Sequence, residues 1–310
     1  MPAPSKTQTS NTQTPAKAWR RLAIAALALA CLGHLSGTAL AADAGADQAV
    51  TISKEALGGG DPAEIVGSNV KFVSALMAEH LRPDEISRDA LLSYYVDYYL
   101  AEVENGGFSQ FVYNSRWEPA TIGFVIEGLG AIKAEQHLKL FNESAAIIDR
   151  MGPEKLKAFL DSKYSGSNEE RDALDEHNTR FYDLSQSENL LELNAGWLRS
   201  RPALRGMTLR EMGAEVERRA AALPDREARK KAALEAEPRA TKLMRALAAK
   251  AGQALAFATG GDPTQEYKGK KVPAWHFMTD KGRFYMIDTG GKAIMFDAGT
   301  NEPVAETDAP

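Results

Sequence analysis

The chain of 310 residues has one cysteine, Cys31, and five histidines. Cys31 lies in an N-terminal segment that reads as an export signal, so the rest of the chain has no thiol. A disulfide framework, a thiol nucleophile and a cysteine metal site are thereby excluded from the mature protein, whose stability must come from a packed core. Outside the signal the histidines are His80, His137, His177 and His276, with no pair at a ligand spacing such as HxxxH. A metal site would have to gather them from four separate elements, and none is expected. The chain also lacks GxSxG, GxxxxGK(S/T) and a dinucleotide-type glycine pattern after a strand, so no cofactor is expected. Gly128-Leu129-Gly130 falls inside a helical pattern and reads as close helix packing.

What is present begins with Lys17, Arg20 and Arg21 ahead of an apolar run from Leu22 to Leu32, followed by Ala39-Leu40-Ala41. Basic residues, a short apolar run and a small-x-small site make a secretory signal peptide over residues 1–41, cleaved after Ala41. Gly33, His34, Ser36 and Gly37 interrupt the run well short of the ~20 residues that span a bilayer, so the mature chain has no transmembrane span. A lipoprotein at Cys31 is disfavoured, because Ala28-Leu29-Ala30 lacks the leucine expected three positions earlier. The expected location is the bacterial periplasm or exterior.

Residues 42–60 are rich in Ala, Gly and Asp and read as a flexible leader. Asp61-Pro62-Ala63-Glu64 opens a helix with a capping aspartate, proline at the first helical position and a glutamate reaching back. Further helices are expected over 118–132, 135–150, 154–163, 169–182 and 187–198, which together make a helical domain over 61–200. Glu169, Glu170, Asp172, Asp175 and Glu176 crowd one helix start, where carboxylates suit the helix dipole or could form an acidic patch. Residues 42–200 hold 27 acidic and 14 basic residues, whereas residues 201–260 hold 7 and 13. An acidic domain followed by a basic helical connector either packs together or presents two fields.

From residue 261 the period changes from 3.6 to 2. Ala274–Thr279, Arg283–Asp288 and Lys292–Asp297 are strand-length runs joined by glycine-containing turns, with Val304–Glu306 as a further edge. This predicts a small antiparallel β-meander over 261–310, one side covered by a helix spanning Ala240–Phe257. Alternation sends His276 to the face opposite Trp275 and Phe277. The fold class is α+β, mainly helical with the meander at its end.

The centre of the chain is Leu91–Asn114, LLSYYVDYYLAEVENGGFSQFVYN. Leu92, Val96, Tyr99 and Val103 fall on one stripe at about 100° per residue, and Ser93, Asp97 and Glu104 on the other side. Glu102 projects to the flank of that stripe, half buried beside tyrosines. Gly106 and Gly107 end the helix, Gly106 being placed in the left-handed conformation, and Phe108, Phe111 and Val112 return to the core. Glu102, Asn105, Gln110 and Asn114 surround this turn. They either tie down loose backbone groups at the stop or line a cleft for a small polar ligand or peptide.

The run Glu102-Val103-Glu104-Asn105-Gly106-Gly107-Phe108-Ser109-Gln110-Phe111, with Tyr113-Asn114 after it, resembles the signature of the DMP19-type domain. That helical domain occurs in many bacterial proteins and is named after a DNA-mimic protein. Leu129-Gly130-Ala131 and the stretch from Leu174-Asp175-Glu176 to Phe181-Tyr182 extend the resemblance to residues 90–199. The resemblance implies a fold more than a function, and it points to carboxylates imitating phosphates. Export and the sparse charge argue against that role, and direct nucleic-acid binding is not expected. No catalytic residue is assigned. The preferred reading is an exported, non-enzymatic interaction protein whose partner is another protein or a small polar ligand, with an acidic helical surface available for contact. The alternatives are an enzyme using Glu102 as general acid or base, and an immunity- or inhibitor-type protein against a basic effector.

Overall fold

The structure, a computed structural model, describes residues 49–162, 164 and 167–309. The expected signal sequence, Cys31 and the expected cleavage site lie outside them. The described chain forms two compact units that part between Arg226 and Glu227.

The first unit is helical around a small parallel sheet. Strand β1 (Val50–Ser53) pairs with β2 (Leu204–Met207), joining the two ends of the unit. Residues 50–59 are therefore not a flexible leader: β1 is buried, and helix α1 (Lys54–Gly59) follows it, capped by the Ser53 hydroxyl on the Ala56 N–H. Val50 and Ile52 are wholly buried, so this strand is held by core packing and by a partner far along the chain. Helix α2 (Pro62–Ala78) starts at the expected aspartate cap, with Asp61 accepting from the Ala63 N–H. A 3-10 turn at Pro83–Glu85 then leads into the central helix α3 (Arg88–Ser115).

Helix α3 is buried on nearly every side rather than along one stripe, because α2, α4 (Pro119–Ala131) and α9 (Leu190–Arg199) all pack on it. Ser93, expected on the solvent side, is wholly buried, and the Asn194 side chain donates to its carbonyl at 3.0 Å. Gly128 of α4 seats against α3, where an added Cβ would lie 2.7 Å from Val96 Cγ2 and 2.9 Å from the Leu92 carbonyl oxygen. Helices α5 (Glu135–Met151) and α6 (Pro153–Asp161) follow. The helix expected over 169–182 is instead α7 (Glu169–Leu174), a 3-10 turn and α8 (Asn178–Leu184). Tyr99, Phe108, Phe111, Trp117, Phe141 and Phe181 form the aromatic centre of this core, mostly edge to face.

The stretch 201–260 is not one connector. Its first part holds β2 and helix α10 (Leu209–Ala221), which carries a Thr208/Glu211 capping box and buries Met212 and Ala220 in the first unit. Ion pairs tie this part to residues earlier in the chain, its bases through Arg201–Asp89 and Arg226–Glu79 and its acids through Lys54–Glu211 and Arg82–Asp225. Helix α11 (Arg226–Ala236) begins at the division.

In the second unit, α12 (Arg239–Lys250) packs Leu243, Met244 and Leu247 against Phe277, Phe284, Met286 and Met295. The covering helix is thus the expected one, but it ends at Lys250, and Leu255 already belongs to a strand. The sheet has five antiparallel strands in sequence order: β3 (Leu255–Tyr267), β4 (Lys270–Thr279), β5 (Gly282–Asp288), β6 (Lys292–Asp297) and β7 (Pro303–Asp308). β3 was hidden because its alternation is broken by three register shifts and by Gly260-Gly261. His276 lies beside Tyr285, on the face away from α12.

Candidate functional site: the kink in the central helix

At Gly106 and Gly107 the backbone of α3 leaves helical angles and then resumes them. Gly107, not Gly106, holds the positive φ, at 86° with ψ 178°; Gly106 sits at φ −156°, ψ 20°. The glycines therefore stop one helical segment as expected, and a second starts directly after them, the two running on as α3 across a kink. Such a break frees carbonyls before it and N–H groups after it, and buried ones need partners.

Each side of the kink is supplied. The Phe108 N–H donates to Asn178 Oδ1 at 3.0 Å and the Ser109 N–H to Asp175 Oδ1 at 2.9 Å, so these two side chains cap the second half of α3. The Ser109 hydroxyl donates to the other Asp175 oxygen at 2.9 Å. Before the break, the Tyr164 hydroxyl donates to the Gly106 carbonyl at 2.9 Å and the Tyr182 hydroxyl to the Val103 carbonyl at 3.2 Å. A Cβ on Gly107 would overlap both Asn178 and Asp175, so the residue must be glycine on two counts, its backbone angle and its space.

Glu102, Asn105, Gln110 and Asn114 are brought together as one chain of hydrogen bonds across the kink. Gln110 Nε2 donates to Glu102 Oε2 at 2.8 Å and Asn114 Nδ2 to the same oxygen at 2.7 Å. Asn105 Nδ2 donates to Gln110 Oε1 at 2.9 Å, which fixes the orientation of the Gln110 amide. Glu102 is 2 % exposed, fully rather than half buried. Burial pushes its carboxyl above the ordinary range and outweighs the two amide bonds, which act in the opposite direction. The nearby Tyr98 hydroxyl is likewise pushed up, first by burial and then by the Glu102 charge, and has no hydrogen-bond partner among the described residues.

Chemically, the cluster bridges the two halves of α3. Three cavities are lined by other groups: Lys133 with residues 185–189, Lys54 with Arg205 and Arg218, and Lys139 with Arg180. Among the described residues no group of three His, Cys, Asp or Glu could hold a metal ion, and no helix is long and apolar enough to cross a membrane.

Asp175, Asn178, Tyr164 and Tyr182 were not singled out from the sequence as partners of the glycine turn. Asp175 in particular had been grouped with the acidic helix start. The available signal was the pairing of an isolated double glycine with the spacing Asp175-x-x-Asn178, two short side chains suited to capping one helical start.

The family model described as DMP19-like protein matches residues 84–201, the segment that contains this kink and its partners. No curated protein and no solved structure matches the chain.

Proposed function

We propose, from the premise of a DMP19-like segment over residues 84–201, that this chain is an exported, non-enzymatic interaction protein whose helical unit meets a basic partner protein through its acidic surface. The observation that carries the reading is the commitment of Glu102. The one carboxylate with the position of a general acid or base is buried, and its Oε2 is taken by Gln110 and Asn114. A proton-transfer group must reach its substrate directly or through one water, and a carboxylate 2 % exposed lacks that reach. The kink cluster thus shapes the helical unit and leaves recognition to its surface.

Glu169, Asp172 and Glu176 are exposed on α7 and the turn after it, with Glu104 exposed on α3. Arg171 pairs with Asp172 and Arg180 with Glu143, which thins the negative field locally. Imitation of a duplex, with about one charge per 1.7 Å of axis, needs a far denser array, so a basic protein surface is the better match. An inhibitor or immunity role against a basic effector is a special case of this reading.

The test is cross-linked capture from the native envelope with protein beginning at Ala42, compared with Glu169→Lys/Glu176→Lys and with Glu102→Gln. The charge reversal is expected to abolish capture, and capture by the parent protein is expected to weaken as salt rises. Glu102→Gln is expected to leave it intact. Lost capture in Glu102→Gln with unchanged stability would overturn the reading in favour of a Glu102-centred site. N-terminal sequencing of the exported protein is expected to return Ala42; Met1 or a lipid-modified Cys31 would contradict export with signal cleavage.

A further inference from the structure

We infer that His137 is an acid-sensitive latch holding the loop Ser185–Asn189 against the start of helix α5. The inference is independent of the acidic surface discussed above and concerns the opposite end of the α8–α9 connection.

Helix α5 begins after Ala134, which has no side chain able to cap it. The cap comes from the loop instead. Glu188 Oε1 accepts from the Gln136 N–H at 3.2 Å and Oε2 from the His137 N–H at 2.7 Å, a carboxylate at a helix start. The His137 side chain closes the clasp, with Nε2 3.0 Å from the Glu188 carbonyl oxygen. A carbonyl only accepts, so Nε2 carries the proton and Nδ1 is left with a bare lone pair. Nδ1 is buried and has no partner among the described residues. The ring is 0 % exposed and stands edge-on to Phe181 at 5.0 Å.

Protonation would place an N–H on Nδ1 where nothing accepts it, and a charge in an apolar wall. The elements around His137 carry Glu127 on α4, Glu135, Lys139 and Glu143 on α5, His177 in the 3-10 turn, Arg180 and Asp183 on α8, and Glu188 in the loop. Of these, Glu188 alone acts on the imidazole, drawing it toward the charged form; burial is the larger effect and holds it below the ordinary histidine range. A histidine depressed in the folded state leaves stability intact above its unfolded value of about 6.5 and removes it as pH falls toward the folded value. The least disruptive way to accept the proton is release of the loop, which lets water reach Nδ1 and frees both Glu188 contacts. That loop also forms a wall of a cavity of about 920 Å³ whose other lining groups include Lys133, Gln136 and Glu192. Acid therefore loosens the wall of this cavity.

Amide hydrogen exchange on the secreted protein at pH 7 and pH 5, corrected for intrinsic rates, reads the latch through the Gln136 and His137 amides and the loop. Opening is expected to rise from pH 7 to pH 5, by at most the roughly 30-fold that 1.5 pH units below the unfolded value of about 6.5 permit. His137→Gln can keep a donor for the Glu188 carbonyl but cannot charge, so its loop should show no such rise. His177→Gln, at a ring hydrogen-bonded to Ser144 and not to the loop Ser185–Asn189, should respond like the parent. A flat parent response, or a rise that persists in His137→Gln, would overturn the latch. Should His137→Gln fail to fold, the NMR titration of His137 in the parent decides: a midpoint at or above about 6.5 is against it, and a clearly lower one is for it.

Discussion

Glu102 and Gly107 carry opposite kinds of constraint. At Glu102 the side chain matters through what it accepts: Glu102→Ala leaves the Gln110 and Asn114 amides without their acceptor and should cost on the order of 1–3 kcal/mol in chemical denaturation. Glu102→Gln keeps an acceptor oxygen and removes a charge that burial disfavours. Its pH dependence has a definite sign. A carboxyl raised in the folded state supports folding fully below its unfolded value near 4.3 and progressively less as pH rises through the folded value. Glu102→Gln should therefore lose less stability than the parent between pH 5 and pH 8, and a parallel pair of curves would show that Glu102 ionises there at no cost. At Gly107 the constraint is the backbone. Gly107→Ala should cost at least about 1–3 kcal/mol from the positive φ alone, with more from displacing Asp175 and Asn178. Gly106→Val has no such backbone penalty, and the atoms nearest its Cβ belong to the flexible Gln110 side chain. The denaturation midpoint should fall further for Gly107→Ala than for Gly106→Ala, and the reverse order would return the special backbone angle to Gly106.

Among the elements, α3 depends on neighbours that lie far away in sequence. Asp175 caps its second half over a separation of 66 residues, so Asp175→Ala should cost about 0.5–2 kcal/mol, as removal of a local helix cap does. Circular dichroism with urea denaturation measures it, and an unchanged midpoint would mean that water replaces the carboxylate. The α3–α4 contact is set by Gly128. A side chain there meets the Leu92 carbonyl oxygen, which is backbone and cannot turn aside, so Gly128→Val should destabilise by about 1–3 kcal/mol through overpacking. The Pro and Asp signals at Asp61, Glu118-Pro119 and Gly152-Pro153 marked helix starts to within a residue because capping is local chemistry. The faces of α3 were not readable in the same way. A helix packed from several sides buries Ser93 and Glu102 along with its apolar residues, and a single-stripe pattern no longer tells inside from outside.

For the whole molecule, the division at Arg226–Glu227 separates two cores. The cluster of Leu243, Met244, Leu247, Phe277, Phe284, Met286 and Met295 contains no residue of the first unit. Residues 227–310 expressed alone should therefore show sheet-rich circular dichroism and a cooperative thermal transition, being just above the size of about 70–80 residues at which one core suffices. A chain that stays unfolded would show that this core needs the first unit. The basic stretch from Arg201 is divided the same way, its first part ion-paired to Asp89, Glu79 and Lys54 of the first unit and its second part placed under the sheet. The net charge of a segment thus does not say which unit will hold it.

The sequence by itself determined the helical class of the first unit, the hairpins with glycine turns in the second, most helix starts, the close approach at Gly128, and the resemblance at Glu102–Asn114. Each rests on interactions within a few residues or on a periodic burial pattern. Only the tertiary structure decided that Val50–Ser53 is a buried strand, that Gly107 and not Gly106 carries the strained angle, and that Asp175, Asn178, Tyr164 and Tyr182 satisfy the kink. The reason is the same in each case: a hydrogen-bond donor or acceptor freed at one point of the chain can be met by any polar side chain that packing brings within about 3 Å, and that choice is made by the packing of the core, not by neighbours in sequence.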